Sequence, residues 1–155
     1  MGTKLRHVSD VPVQTGLPTS LPNPIKPECF VGKHEAQLGK AVGLTQFGVN
    51  HLKLEPGSMS SLRHWHEGED EFVLVPSGEL TLIDEYGEHA LIEGNFVGFS
   101  AGQPNGHHFV NRSRFPATLL VVGTRKVGIE TIHYPDDLPQ PQTIVRDSDG
   151  RRVDS

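Results

Sequence analysis

The stretch from Gly57 to Gly78, GSMSSLRHWHEGEDEFVLVPSG, decides how this chain folds. It holds His64 and His66 two positions apart, then Glu71 at the head of an apolar run, Phe72-Val73-Leu74-Val75. On a helix, positions i and i+2 point about 200° apart and share no partner. On a strand they lie on one face, about 6.6 Å apart along the backbone. Two imidazoles at that separation can lean onto one metal ion, at about 2.0–2.1 Å each. The polar segment Glu67-Gly68-Glu69-Asp70 is short and suited to turning the chain. A histidine pair and a carboxylate then face one another across two antiparallel strands.

The rhythm of the rest of the chain is also that of strands. Residues 42–54 carry β-type apolar side chains, and 60–66 and 70–75 follow as strands. A hairpin over Glu85-Tyr86-Gly87 joins 79–84 to 88–92. Residues 95–99, 107–111 and 117–123 continue the series, and 130–134 form an added edge strand. Short strands at this spacing, punctuated by 17 glycines and 12 prolines, predict a β-sandwich or barrel.

Here the sequence resembles the cupin superfamily. Its first motif has the form G-x5-H-x-H-x3,4-E-x6-G. This chain supplies Gly57, His64, His66, Glu71 and Gly78, with one extra residue in the first gap. The second motif, G-x5-P-x-G-x2-H-x3-N, is matched by Gly94, Ser100-Ala101-Gly102, His107 and Asn111. Serine replaces proline there, and the gap before the histidine is two residues longer. Strand parity with Asn111 selects His107 over His108. The likeness covers about residues 44–123. The strings LTQFGVN, SSLRHWHEGEDEFV, GHHFVNRS and VGTR, with a later His-Tyr-Pro, are similar to a group of small single-domain bacterial cupins. The resemblance implies an all-β double-stranded β-helix, a jelly-roll barrel of two antiparallel sheets. It also implies a homodimer, with His64, His66, Glu71 and His107 converging on one divalent transition metal.

Three imidazoles and one carboxylate suit iron, manganese, zinc, nickel or copper, and not a thiolate-based structural zinc site. An octahedral ion with four protein ligands keeps two positions for water or substrate. The expected function is that of a small metalloenzyme, a dioxygenase, isomerase or lyase, acting on a polar small molecule. The alternative is a metal-bearing module that binds a small molecule without turnover. Asn111, Gln46, Phe99 and Phe109 are candidate pocket or supporting residues by parity. Arg63, Arg112 and Arg125 are candidates for receiving an anionic substrate, or by strand parity for surface or interface pairs. Glu69 and Asp70 read as a solvated turn, and Trp65 as packing between sheets or subunits.

At 155 residues the chain is one domain in size. Its formal charge of −5 argues against nucleic acid, which selects basic surfaces. No apolar run reaches the ~18 residues of a membrane span. A single cysteine, Cys29, and an N-terminus without a secretory apolar core point to the cytoplasm. Residues 1–41, with prolines at 12, 18, 22, 24 and 27, are expected as an extended arm, 42–134 as the barrel and 135–155 as a tail.

Overall fold

The computed structural model describes residues 2–17 and 26–153. Pro18, Leu21, Pro22, Pro24 and Ile25 of the expected arm lie outside the described residues. The elements in order are β1 (Val13–Thr15), β2 (Lys33–Gln37), a single helical turn α1 (Leu38–Ala41), β3 (Phe47–Leu54), β4 (Trp65–His66), β5 (Glu71–Ser77) and β6 (Leu80–Asp84). They continue as β7 (Gly87–Leu91), β8 (Phe96–Phe99), β9 (His108–Val110), β10 (Ala117–Thr124), β11 (Gly128–His133) and β12 (Gln142–Arg146). Among the described residues no helix is long and apolar enough to cross a membrane.

One layer is a six-stranded antiparallel sheet in the order β1-β2-β3-β10-β5-β8. The other is built from two three-stranded sheets, β7-β6-β9 and β12-β11-β4. Two isolated bridges, Met59↔Val110 and His64↔His107, join these across the segment that leads into β4. The facing layers make the jelly roll. Alternation fills the space between them. Leu52 and Leu54 of β3 oppose Leu119 and Ala117 of β10, and Val73 of β5 opposes Val121. With Val75, Leu80, Leu82, Phe99 and Phe109 these residues form the core. Each such side chain contributes about 1.5–3 kcal/mol by leaving water.

The glycines of the two motifs have a backbone reason to be glycine. Gly57, Gly78 and Gly94 have φ of 88°, 84° and 92°, where a side chain is strained. At Gly78 an added Cβ would also lie 2.6 Å from the Ala117 Cβ.

The strand expected over 60–66 is regular only at β4. Between the two bridges the chain takes five steps on one side and three on the other, so residues 60–63 bulge by two extra residues. The Ser60 hydroxyl accepts from the Phe109 N–H at 3.0 Å, and His108 Nδ1 donates to the Ser61 carbonyl at 2.9 Å, which tie the bulge down. Strands also lie outside the span 42–134. β2 pairs with β3, β1 pairs with β2, and β12 pairs with β11. The described part of the arm thus extends the chain's own sheet, and part of the expected tail is a strand.

Candidate metal centre

His64 and His107 sit directly opposite each other, joined by paired backbone hydrogen bonds of 3.2 and 3.0 Å. His66 follows in β4, whose other edge is held by Ile132 of β11. Glu71 opens β5 from the facing sheet, opposite Phe99 in β8. One ligand-competent atom each of His64, His66 and Glu71 lies within 4.8 Å of the other two. His107 joins through Glu71, its Nε2 3.1 Å from Oε1. Glu71 Oε2 is 3.8 Å from His64 Nε2 and 3.9 Å from His66 Nε2. All four side chains are largely shielded from solvent.

The donor set fits a cation. His64 Nδ1 donates to the Leu62 carbonyl and His107 Nδ1 to the Asn105 carbonyl, each at 2.8 Å. That assignment leaves the Nε2 lone pairs turned toward Glu71, an arrangement a positive charge between them would satisfy. His66 Nδ1 is buried with no hydrogen-bond partner. Charge within the cluster acts in the same sense. Burial pushes the His64 imidazole down, but the Glu71 carboxylate more than offsets it and its pKa is raised. Burial likewise opposes ionisation of Glu71, yet hydrogen bonds and charge from His107 and His64 hold its pKa well below the usual carboxylate range. Burial, with the neighbouring His64 charge, drives His66 down to about 3.

Comparison with known proteins places the chain in a family. Residues 50–123 match the cupin domain family Cupin_2. A crystal structure described as a sugar phosphate isomerase from a cupin superfamily, from Silicibacter pomeroyi, is 41% identical over 96% of this chain and 92% of its own, with a TM-score of 0.82. The chain belongs to the cupin superfamily. A putative sugar phosphate isomerase from Acidithiobacillus ferrooxidans is 30% identical over 81% of this cupin and 76% of its own chain, with a TM-score of 0.68. A polyketide cyclase from Streptomyces resistomycificus, 18% identical over 96% of this chain and 90% of its own, shares the fold at a TM-score of 0.62. No curated protein sequence matches this cupin.

His64, Glu71 and His107 form one wall of a cavity of about 130 Å³. Lys33, Glu35, Asn50, Ser60, Ser61 and Phe109 line the rest with Leu52 and Val121. Phe99 stacks on the His107 ring, centroids 3.5 Å apart and planes within 5°. Asn111 and Gln46 stand elsewhere. Asn111 is fully buried, where its amide donates to the Leu54 and Phe115 carbonyls and its Oδ1 accepts from Ser113. It anchors a turn. Gln46 is exposed and precedes β3, with its carbonyl accepting from Arg125 N–H. His108 faces away from the cluster, onto the bulge. Trp65 stacks on His133 at 4.0 Å.

Other neighbours were not foreseen. Glu69, expected in a solvated turn, is buried in a two-pronged pair with Arg146 of β12, at 2.9 and 3.2 Å. Its Oε1 is also 3.7 Å from His66 Nδ1. Tyr134 brings its ring to 5.9 Å from that of His64, and burial raises its phenol pKa. Its place in the His-Tyr-Pro string was the one available sign. Lys33 and Glu35 carried no sign at all.

Proposed function

We propose that this cupin is a metal-dependent isomerase of a small phosphorylated sugar, with the ion held by His64, His66, Glu71 and His107. The observation that carries the reading is the convergence of these four side chains at one cluster, three of which, His64, Glu71 and His107, line a cavity shared with Lys33, Glu35, Asn50 and two serines. The two relatives described as sugar phosphate isomerases, one of them putative, support the reaction class. When bound, a divalent cation supplies Lewis-acid polarisation of a substrate oxygen. The chain itself supplies the rest. The Leu62 and Asn105 carbonyls fix the tautomers of His64 and His107. Phe99 closes the rear of His107, and Asn50, Ser60 and Ser61 offer hydrogen-bonding groups to hydroxyls.

One observation favours the second reading, binding without turnover. The lining groups that titrate outside the ligand cluster, Lys33 and Glu35, are paired with each other at 3.5 Å. Neither stands alone as a base.

The test is elemental analysis of tag-free protein purified without chelators, beside the His64→Ala/His66→Ala variant. About one equivalent of metal in the parent and almost none in the variant supports the site. Incubation of the loaded protein with aldose and ketose phosphates, followed by NMR, then separates the two readings: interconversion supports the isomerase, and ligands recovered unchanged support the binding module. Absence of metal from the parent even after reconstitution refutes both.

A further inference from the structure

Lys33 is the least expected residue of the cavity. It opens β2 opposite Leu54, and alternation turns Lys33 and Glu35 to the same face. Lys33 is 7% exposed, although lysine is almost never buried without a partner. Among the described residues its ion-pair partner is Glu35, with Nζ 3.5 Å from Oε2. That is longer than the ~2.7–2.9 Å of a charge-assisted hydrogen bond, and an ammonium has three donors to satisfy. The ammonium lines the cavity with donors to spare, and an anion there would complete its shell.

Two of the arginines that the sequence offered for this purpose are engaged elsewhere. Arg63 binds Asp136, Glu85 and the Gly106 carbonyl, and Arg112 pairs with Glu88. Neither lines the cavity, and neither does Arg125. Among the described residues Lys33 is the lysine or arginine that does, with the Asn50 amide and the Ser61 hydroxyl on the same lining.

We infer that Lys33 is the seat of the substrate's oxyanion, a phosphoryl or carboxylate group, with Asn50 and Ser61 as neutral donors beside it. Glu35 holds the ammonium in place and keeps the cavity from being an indiscriminate anion trap. This rests on the reading of the cavity as the substrate site, and it deepens that reading by assigning the group that recognises charge.

The probes are inorganic phosphate and acetate, titrated by calorimetry into the protein as purified, its Lys33→Met variant and its Lys33→Arg variant. Metal content is measured on each sample. The expected result is phosphate binding that weakens ~10- to 100-fold in Lys33→Met and is largely kept in Lys33→Arg, at unchanged metal content. Tighter binding of acetate than phosphate, with the same dependence on Lys33, supports the seat and assigns it to a carboxylate. Equal affinity in parent and Lys33→Met, or no binding of either anion, overturns the inference. Should Lys33→Met not fold, acetic anhydride labelling of the parent read by mass spectrometry replaces it. Slower acylation of Lys33 with phosphate present supports the seat, and an unchanged rate overturns it. Because the labelling needs no metal, it also reads this inference if the parent proves metal-free and the isomerase reading fails.

Discussion

Arg146→Met tests whether the last strand is fastened to the metal centre. Arg146 and Glu69 are 6% and 4% exposed in their side chains, and they meet through two hydrogen bonds. Glu69 Oε2 also accepts from the Lys126 N–H at 2.9 Å. Removing the guanidinium leaves a carboxylate buried with that single backbone donor and only the more distant Arg125 as counter-charge. Breaking one side of a buried pair costs about 3–5 kcal/mol, because the remaining charge stays desolvated. In a domain of this size that corresponds to a fall in Tm of about 6–20 °C. Replacing both partners, as in Glu69→Gln/Arg146→Met, removes the stranded charge and is expected to cost less than Arg146→Met alone. Urea unfolding of metal-free protein at pH 7 reads Arg146→Met, Glu69→Gln and the double variant without a contribution from metal binding. A loss under about 1 kcal/mol in Arg146→Met, or single-variant costs that simply add in the double, would refute this account of the latch.

Three further outcomes follow from the site. His66 has its pKa lowered from 6.5 to about 3 in the folded chain, so the unfolded chain binds a proton that the fold rejects. Its contribution to stability is therefore full above pH 6.5 and is lost as pH falls toward 3, by about 2 kcal/mol between pH 7 and 5. His64, with a raised pKa, acts in the opposite sense; urea curves of metal-free parent and His66→Gln at both pH values should show a shallower acid loss in the variant. Asn111→Ala orphans the buried groups it now satisfies and should cost about 3 kcal/mol or more while leaving metal content at the parental level, since it does not line the cavity; metal loss from folded variant would contradict the anchoring role. Phe99→Ala opens the space behind His107 and should cost about 3–5 kcal/mol in urea unfolding. The same variant should weaken metal affinity about 10-fold in a chelator competition, and unchanged affinity would show that His107 needs no such backing.

What was legible in the sequence was legible because it was local and apolar. The i, i+2 histidines and Glu71 declare a strand face, and the alternating runs of β3, β5 and β10 declare theirs. β2 hid because its sequence, Lys-His-Glu-Ala-Gln, carries no apolar alternation. Its inward side chains meet a polar cavity and not the core, so the usual signal of a buried face is reversed. β12 hid for a related reason, since an arginine stands at one of its two buried positions. Glu69 was misread because its partner lies 77 residues away, and a run of four polar residues gives no hint of it. Parity failed for Gln46, which lies just outside β3, where alternation has no hold.

The bulge at residues 60–63 makes this barrel open to revision at one point. Bridges at Met59 and His64 clamp its two ends, while Ser60 and Ser61 between them face the cavity. Residues can be exchanged or added there without moving His64 from its place opposite His107. Because side chains alternate, an insertion of two preserves every orientation that follows, whereas an insertion of one tends to reverse them. Selection, or an engineer, can therefore retune what enters this cavity in steps of two residues while the histidine pair stays in register.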